Sequence, residues 1–294
     1  MNDVAIIGGG PAGLTAGIYA ARYGMKAVIF SERNGGVITE AFKVCNFPSY
    51  EEISGYELTE KMINQVRKLG VRIVQAKVSG IQHNGNFLIK LGETEYNARS
   101  LIIAIGRKKR LLNIPGEKEF TGRGVSYCAT CDAAFFRGKK VAVIGGGNAA
   151  LTSALLLSQF ADEVYIIYRR DRFFRAEKMW IDAVNRENKI KPVFNSTLKS
   201  INGDNVVKSV TLNDGSELKL DGVFVDIGFD PDTTIPDSLG VRTDNGYIVV
   251  NKKQETNVRG VFAAGDCTNN PLKQVVTACA EGAIAATSAY ESLQ

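Results

Sequence analysis

The sequence holds one histidine, His83, beside the turn signal Asn84-Gly85-Asn86. That is ordinary surface composition, so acid–base or nucleophilic chemistry through histidine is not expected. A metal centre is not expected either. Cys128 and Cys131 form one Cys-x-x-Cys pair, but no second pair follows, and Cys45, Cys267 and Cys279 stand alone, best read as small core residues. Basic runs are short: none exceeds Arg107-Lys108-Lys109-Arg110, and the net charge is a mild +5, which argues against a nucleic-acid partner. No charged stretch leads into an apolar one ahead of Val4, and no segment is long and apolar enough to span a membrane, so neither a leader nor a membrane partner is expected. Five cysteines, an odd number in 294 residues, do not make a secreted disulfide framework and point to a reducing cytoplasm.

What is present reads as a globular α/β protein. Hydrophobic residues make up 45% and charged residues 23%, and the length suggests about two domains. Asp3-Val4-Ala5-Ile6-Ile7 is an apolar run of the kind that fills a buried parallel strand. It runs into Gly8-Gly9-Gly10-Pro11-Ala12-Gly13, and residues 14–23 follow as a helix rich in small side chains. Strand, Gly-x-Gly-x-x-Gly and helix in this order form a dinucleotide loop. Gly8 permits the tight turn, Gly10 lets the backbone approach a pyrophosphate, and Gly13 lets helix and strand pack closely. After a second strand at residues 26–30, Glu32 is the candidate acid for a ribose hydroxyl, with Ser31 as the other occupant of that place. A helix is predicted over residues 55–69, a β-meander over 77–96, and a buried strand at Ser100-Leu101-Ile102-Ile103-Ala104-Ile105-Gly106.

The pattern then repeats. Val141-Ala142-Val143-Ile144 leads into Gly145-Gly146-Gly147-Asn148-Ala149-Ala150 and a second helix, and a strand follows at residues 164–168. No acid closes that strand. Tyr168-Arg169-Arg170 stands there, with Arg175 five residues on, and guanidinium forks suit a 2′-phosphate where a carboxylate would suit a ribose diol. The cofactor expected here is therefore NADPH rather than NADH. A second meander, a buried strand near residues 221–228, the strand Gly260-Val261-Phe262-Ala263-Ala264-Gly265-Asp266 and a helix over 274–290 complete the chain.

Between the two loops lies Cys128-Ala129-Thr130-Cys131-Asp132, two thiols at disulfide spacing followed by an acid. A dithiol between two dinucleotide sites suggests electrons passing from one cofactor through another to a disulfide.

With these motifs the chain resembles, over essentially its whole length, the low-molecular-weight, bacterial-type thioredoxin reductases of the class II pyridine nucleotide-disulfide oxidoreductases. The resemblance implies two Rossmann-like, three-layer ββα nucleotide-binding domains, the second inserted in the first: residues 1–111 with 237–294 for FAD, and residues 112–236 for NADPH, carrying the dithiol. It implies a homodimer. It implies FAD contacts from Gly8, Gly10, Pro11, Ala12, Gly13, Glu32, Gly36, Asn46, Val78, Ala104, Gly106, Gly265, Asp266, Lys273, Gln274 and Val275. The NADPH contacts implied are Gly145, Gly147, Asn148, Ala149, Ala150, Arg169, Arg170 and Arg175. Cys131 would face the flavin as a thiolate, Cys128 would attack the substrate disulfide, Asp132 would carry the proton, and Phe135-Phe136-Arg137 would dock thioredoxin or a thioredoxin-like protein. The chain departs from the family pattern at Tyr168, where the family usually has His, and at Leu151-Thr152-Ser153, where it usually has acids. The third arginine also comes one residue late, through Phe173-Phe174.

The expected activity is that of an NADPH-dependent thioredoxin-disulfide reductase. Because one dithiol must serve both a flavin and an external protein, the middle domain is expected to rotate about residues 110–113 and 232–235. Two other readings are open to the same chain. One keeps the fold and changes the donor or direction, as a ferredoxin-fed reductase or a flavin dithiol oxidase. The other is a flavoprotein sensor whose dithiol reports redox state to a partner.

Overall fold

The computed structural model describes residues 1–294. By packing, the chain divides into two compact units, one of Met1–Thr39, Val44–Lys108 and Asp230–Gln294, the other of Glu40–Lys43 and Lys109–Phe229. In chain order the first unit begins with β1 (Asn2–Ile7), α1 (Pro11–Arg22), β2 (Ala27–Ser31), α2 (Gly55–Lys68) and β3 (Arg72–Gln75). It continues with β4 (Gly80–Asn84), β5 (Asn86–Leu91) and β6 (Thr94–Ile103). A short β7 (Arg107–Lys109) leads to β8 (Val125–Ser126), α3 (Ala129–Asp132), β9 (Lys140–Ile144), α4 (Asn148–Ser158), β10 (Glu163–Ile167), α5 (Lys178–Arg186) and β11 (Ile190–Val193). Next come β12 (Leu198–Gly203), β13 (Val207–Leu212), β14 (Glu217–Lys219), β15 (Gly222–Val225) and β16 (Phe229–Pro231), which pairs with β7. The chain ends with α6 (Thr234–Ser238), β17 (Thr243–Asp244), β18 (Tyr247–Ile248), β19 (Val261–Ala263) and α7 (Val275–Ser292).

The first unit is built on a seven-stranded sheet in the order β3-β2-β1-β6-β5-β4, with β19 also pairing β6. Val4 to Ile7 of β1 are all buried because β2 and β6 flank the strand in parallel and both faces are covered. One face carries α1, α2 and α7 over Ile6, Ile29 and Ile102; the other carries Phe30, Phe87, Ile89 and Ile248. The sequence suggests two strands where the structure has one, the ten-residue β6. Its first half alternates and pairs antiparallel with β5; its second half is wholly buried and lies parallel to β1 and β19. Exposed Arg99, held 3.6 Å from Asp3, makes the join look like a loop in sequence. The small residues of α1 and α7 have a packing reason. A side chain at Gly282 would lie 2.1 Å from the carbonyl of Ala12, so the helices approach closely only with glycine there.

The second unit repeats the plan. Its parallel sheet runs β11-β10-β9-β15-β8, with α4 and α5 packed on one face around Leu151, Leu157 and Val184. The three-stranded antiparallel sheet β12-β13-β14 covers the other face through Ile201, Val207 and Val210. In both units the first strand runs one way to its neighbours while a later strand inserts on its other side: β6 beside β1, and β15 beside β9. The crevice beyond those carboxyl ends is where a doubly wound sheet binds its ligand.

Candidate active site and nucleotide loops

Cys128 and Cys131 form a disulfide with a Cα–Cα distance of 5.3 Å across the short helix α3. Cys128 is half-buried and Cys131 exposed. The neighbouring acid is held by a residue that sequence reading passes over. Ser126 Oγ donates to Asp132 Oδ2 at 2.6 Å and accepts the backbone N–H of Cys128 at 3.1 Å. One buried hydroxyl at the end of β8 thus ties the acid to the first cysteine. Behind it, the Glu117 carboxylate accepts the N–H groups of Leu112 (2.8 Å) and Asn113 (2.6 Å) and the hydroxyl of Tyr127 (2.8 Å). Burial, reinforced by that carboxylate, pushes the Tyr127 phenol up to about 12. A cleft of about 330 Å³ opens beside Asp132, lined by Arg123, Ser126, Phe135, Phe136 and Lys139 among others. Phe136 is buried on Phe224, while Phe135 is 73% exposed and the Arg137 guanidinium lies 5.2 Å over the Phe160 ring.

The first nucleotide loop shows which glycines serve packing and which leave room. Gly8 has φ +116°, and a Cβ there would fall 2.1 Å from the Ala104 carbonyl oxygen, directly after β6. A Cβ on Gly13 would meet the Gly8 carbonyl at 1.9 Å, but one on Gly10 would meet nothing nearer than 4.0 Å, where Gly35 and Gly36 fold over it. Pro11 and Ala12 open α1. At the end of β2, Ser31 Oγ and Asn34 Oδ1 are buried with no hydrogen-bond partner, whereas Glu32 is exposed and 4.0 Å from Lys77. An open cradle beside orphaned polar atoms fits the nucleotide part of a flavin. Val78 follows β3 half-buried, and Gly106 takes a positive φ of 66° just beyond β6.

The expected C-terminal contacts gather in the same unit. Asn46 Nδ2 donates to Gln274 Oε1 at 3.2 Å, Val275 opens α7, and Gly265 packs against Ala12. Asp266 is not free in this arrangement: Arg107 forks it through Nε at 3.1 Å and Nη2 at 2.6 Å. Lys273 donates to the Thr268 carbonyl, lies 4.7 Å over the Tyr247 ring, and has its pKa lowered by burial. Glu281 accepts the Gly265 N–H at 2.7 Å, and burial pushes its carboxyl pKa up. Arg107 and Glu281 carry no motif, so the sequence offered no signal for either. Of the three lone cysteines only Cys267 is a core residue; Cys45 and Cys279 are half-buried, because each lies in a segment with one face open.

The second loop repeats the first. Gly145 has φ +143° and would meet the Asp226 carbonyl at 2.2 Å, while a Cβ on Gly147 would have nothing within 4 Å. Ala149 and Ala150 lie in the first turn of α4, and the Asn148 side chain is engaged with Glu177, donating to Oε1 at 2.9 Å and accepting its N–H at 2.7 Å. Tyr168 lies buried beneath Gly146 and stacks on Phe173 with ring centroids 6.0 Å apart. The loop that lacks acids on α4 has one set beside it from a distant strand: Asp226, just beyond β15, presses its carbonyl on Gly145, and burial pushes its carboxyl pKa up. Arg169, Arg170 and Arg175 have no carboxylate within 4.0 Å. Unpaired guanidiniums at the end of the second strand fit a phosphorylated ribose.

Fold and site together define a disulphide oxidoreductase that works with flavin and nicotinamide cofactors. Residues 2–282 match the family described as Pyridine nucleotide-disulphide oxidoreductase, and the chain belongs to that family. Within it the chain falls among the bacterial-type thioredoxin reductases. The thioredoxin reductase of Bacillus subtilis (strain 168) is 41% identical over 297 residues, covering 98% of this chain and 93% of the relative. Among solved structures, Lactococcus lactis thioredoxin reductase matches with a TM-score of 0.95 at 38% identity, covering 100% of this chain and 99% of that one. That of T. acidophilum matches with a TM-score of 0.93 at 35% identity, again covering 100% and 99%.

Proposed function

We propose that this protein is a thioredoxin-disulfide reductase that draws electrons from NADPH through FAD to the Cys128–Cys131 disulfide and on to thioredoxin or a thioredoxin-like protein. The observation that carries it is the disulfide itself, held beside the Ser126–Asp132 pair in the same unit as the second nucleotide loop. The first unit is the FAD domain, supported by the open space at Gly10 and the orphaned Ser31 and Asn34 oxygens. The second is the NADPH domain, supported by the open space at Gly147 and three arginines without carboxylates, an arrangement that favours NADPH over ferredoxin as donor. When bound, the flavin supplies a two-electron relay from nicotinamide to the disulfide.

The chain's own residues do the rest. Reduction leaves a Cys131 thiolate and a Cys128 thiol. The Asp132 carboxylate takes the Cys128 proton as that sulfur attacks the substrate disulfide, forming a mixed disulfide, and passes the proton to the substrate thiolate released. The Cys131 thiolate then attacks Cys128 Sγ, restoring the Cys128–Cys131 bond and releasing the second substrate thiolate, which takes its proton from solvent. Ser126 keeps the Asp132 carboxyl within reach of both steps. Exposed Phe135 and Arg137 provide the docking surface beside the cleft, whereas Phe136, expected to share it, is buried on Phe224 and anchors the segment from within. Rotation of the second domain about residues 110–113 and 232–235 lets one dithiol serve both electron donor and substrate. The protein works as a homodimer in the cytoplasm; exposed Leu272, Val276 and Ile284, along α7 and its lead-in, suit a second copy.

Anaerobic titration of the purified yellow protein tests the donor. NADPH, and not NADH, should bleach the flavin, and reduced protein should then reduce a thioredoxin disulfide. Bleaching by dithionite or a dithiol but by neither nucleotide would overturn the NADPH assignment.

A further inference from the structure

The arginine segment between β10 and α5 contains an aromatic ring that the nucleotide reading leaves without a role. Phe174 is 48% exposed, which for a phenylalanine sacrifices apolar burial. Its ring is nonetheless occupied. The Arg170 guanidinium lies 4.4 Å from the ring centroid and the Arg175 guanidinium 5.5 Å from the same centroid. Neither has a carboxylate within 4.0 Å to hold it or to neutralise it.

Two like charges on long exposed side chains, with no counter-ion, should drift apart. Each arginine carries substantial rotamer entropy, and salt screens their mutual repulsion little at separations below the Debye length. The negative face of an aromatic ring opposes both tendencies. The neighbouring residue explains why the ring is outside. Phe173 is buried, stacked with Tyr168 and packed edge-on against Phe194 at 5.0 Å, so the segment is anchored there and the next side chain is left at the surface. The additional residue in the spacing between Arg170 and Arg175 thus has a structural use.

We infer that Phe174 is a positioning residue for coenzyme specificity: its ring is a platform that pre-sets Arg170 and Arg175 to grip the 2′-phosphate of a bound nicotinamide dinucleotide. This rests on the reading of the second unit as an NADP-type site. A phosphate monoester brings about two negative charges to a place where two positive charges are already gathered, and bidentate guanidinium contacts are the strong form of that recognition. Without the ring the same contacts form, but the arginines must be ordered on binding.

The test uses the full-length protein and two small probes, adenosine 2′,5′-bisphosphate and 5′-AMP, measured by calorimetry for the wild type and for Phe174→Ala, Phe174→Leu and Phe174→Tyr. The wild type should prefer the bisphosphate. Phe174→Ala should weaken the bisphosphate about five- to thirtyfold, the product of two exposed cation–π contacts, and leave 5′-AMP unchanged. Phe174→Leu, which keeps bulk but has no π face, should behave as Phe174→Ala, and Phe174→Tyr should bind as the wild type does. In turnover, KM for NADPH should rise by the same factor while kcat and KM for NADH hold. Unchanged bisphosphate affinity in Phe174→Ala, full retention in Phe174→Leu, or equal losses for both probes would each overturn the platform role. A wild type that binds the two probes equally would instead refute the NADP-site reading beneath it.

Discussion

Replacing Gly147 by alanine separates cofactor recognition from folding. The residue has φ −101° and ψ −178°, a backbone that any L-residue adopts, and no atom lies within 4 Å of where its Cβ would stand. Alanine here narrows the unfolded ensemble, a gain of about 0.4–1 kcal/mol, but it weakens the N-cap of α4 by a similar amount, so stability should change by less than about 0.5 kcal/mol. The empty space is what a pyrophosphate needs. A methyl group in it forces the phosphate oxygens away from the amides that open α4, forfeiting at least one charge-assisted hydrogen bond of about 1.5–3 kcal/mol. KM for NADPH should therefore rise about 10- to 150-fold, while thermal unfolding and flavin reduction by dithionite match the wild type. Gly145→Ala is the control. At φ +143° and 2.2 Å from the Asp226 carbonyl, its Cβ cannot be accommodated, so that variant should lose stability outright. A Gly147→Ala protein with wild-type KM for NADPH would refute the assignment of the second loop.

Gly10→Ala, with its nearest neighbour 4.0 Å away, should leave the fold intact but yield protein depleted of bound flavin, read from the absorbance ratio of flavin to protein. Ser126→Ala removes the hydroxyl held by Asp132 and Cys128; turnover with thioredoxin should fall about tenfold while the rate of flavin reduction by NADPH is preserved, and an equal loss in both would point to damage elsewhere. Cys131→Ser should trap a mixed disulfide between Cys128 and thioredoxin, visible as a reducible band on a non-reducing gel; trapping by Cys128→Ser instead would reverse the two roles. The Tyr127 phenol, pushed up from 10.0 to about 12, is favoured neutral in the folded state. Its contribution is complete below pH 10 and lost as pH rises towards 12, so the denaturation midpoint should fall across that window. Glu117→Gln should flatten that fall and also lower stability at neutral pH, whereas an unchanged slope would exclude the pairing; Tyr165, raised to about 12 beside Glu163, keeps part of the slope in either case.

By itself the sequence determined the features that depend on neighbours in the chain. Both strand–glycine–helix units, the Cys128–Cys131 pair and the arginine run after the second strand are local patterns. A turn, a helix start and a disulfide across three residues are decided within a few positions of backbone. Even the choice of glycine was legible in part: the middle glycine of each loop proved to face open space and the first to press on a carbonyl. Only the tertiary structure decided which distant residues complete each site. Asp226 follows the second glycine loop by some eighty residues and meets it because β15 inserts beside β9. Arg107 reaches Asp266, and Gly282 admits Ala12, because β6 lies between β1 and β19 and α7 returns onto α1. The join within β6 and the outward turn of Phe174 have the same origin. Burial and partner choice are set by elements that the chain brings together only on folding, and local periodicity carries no record of them.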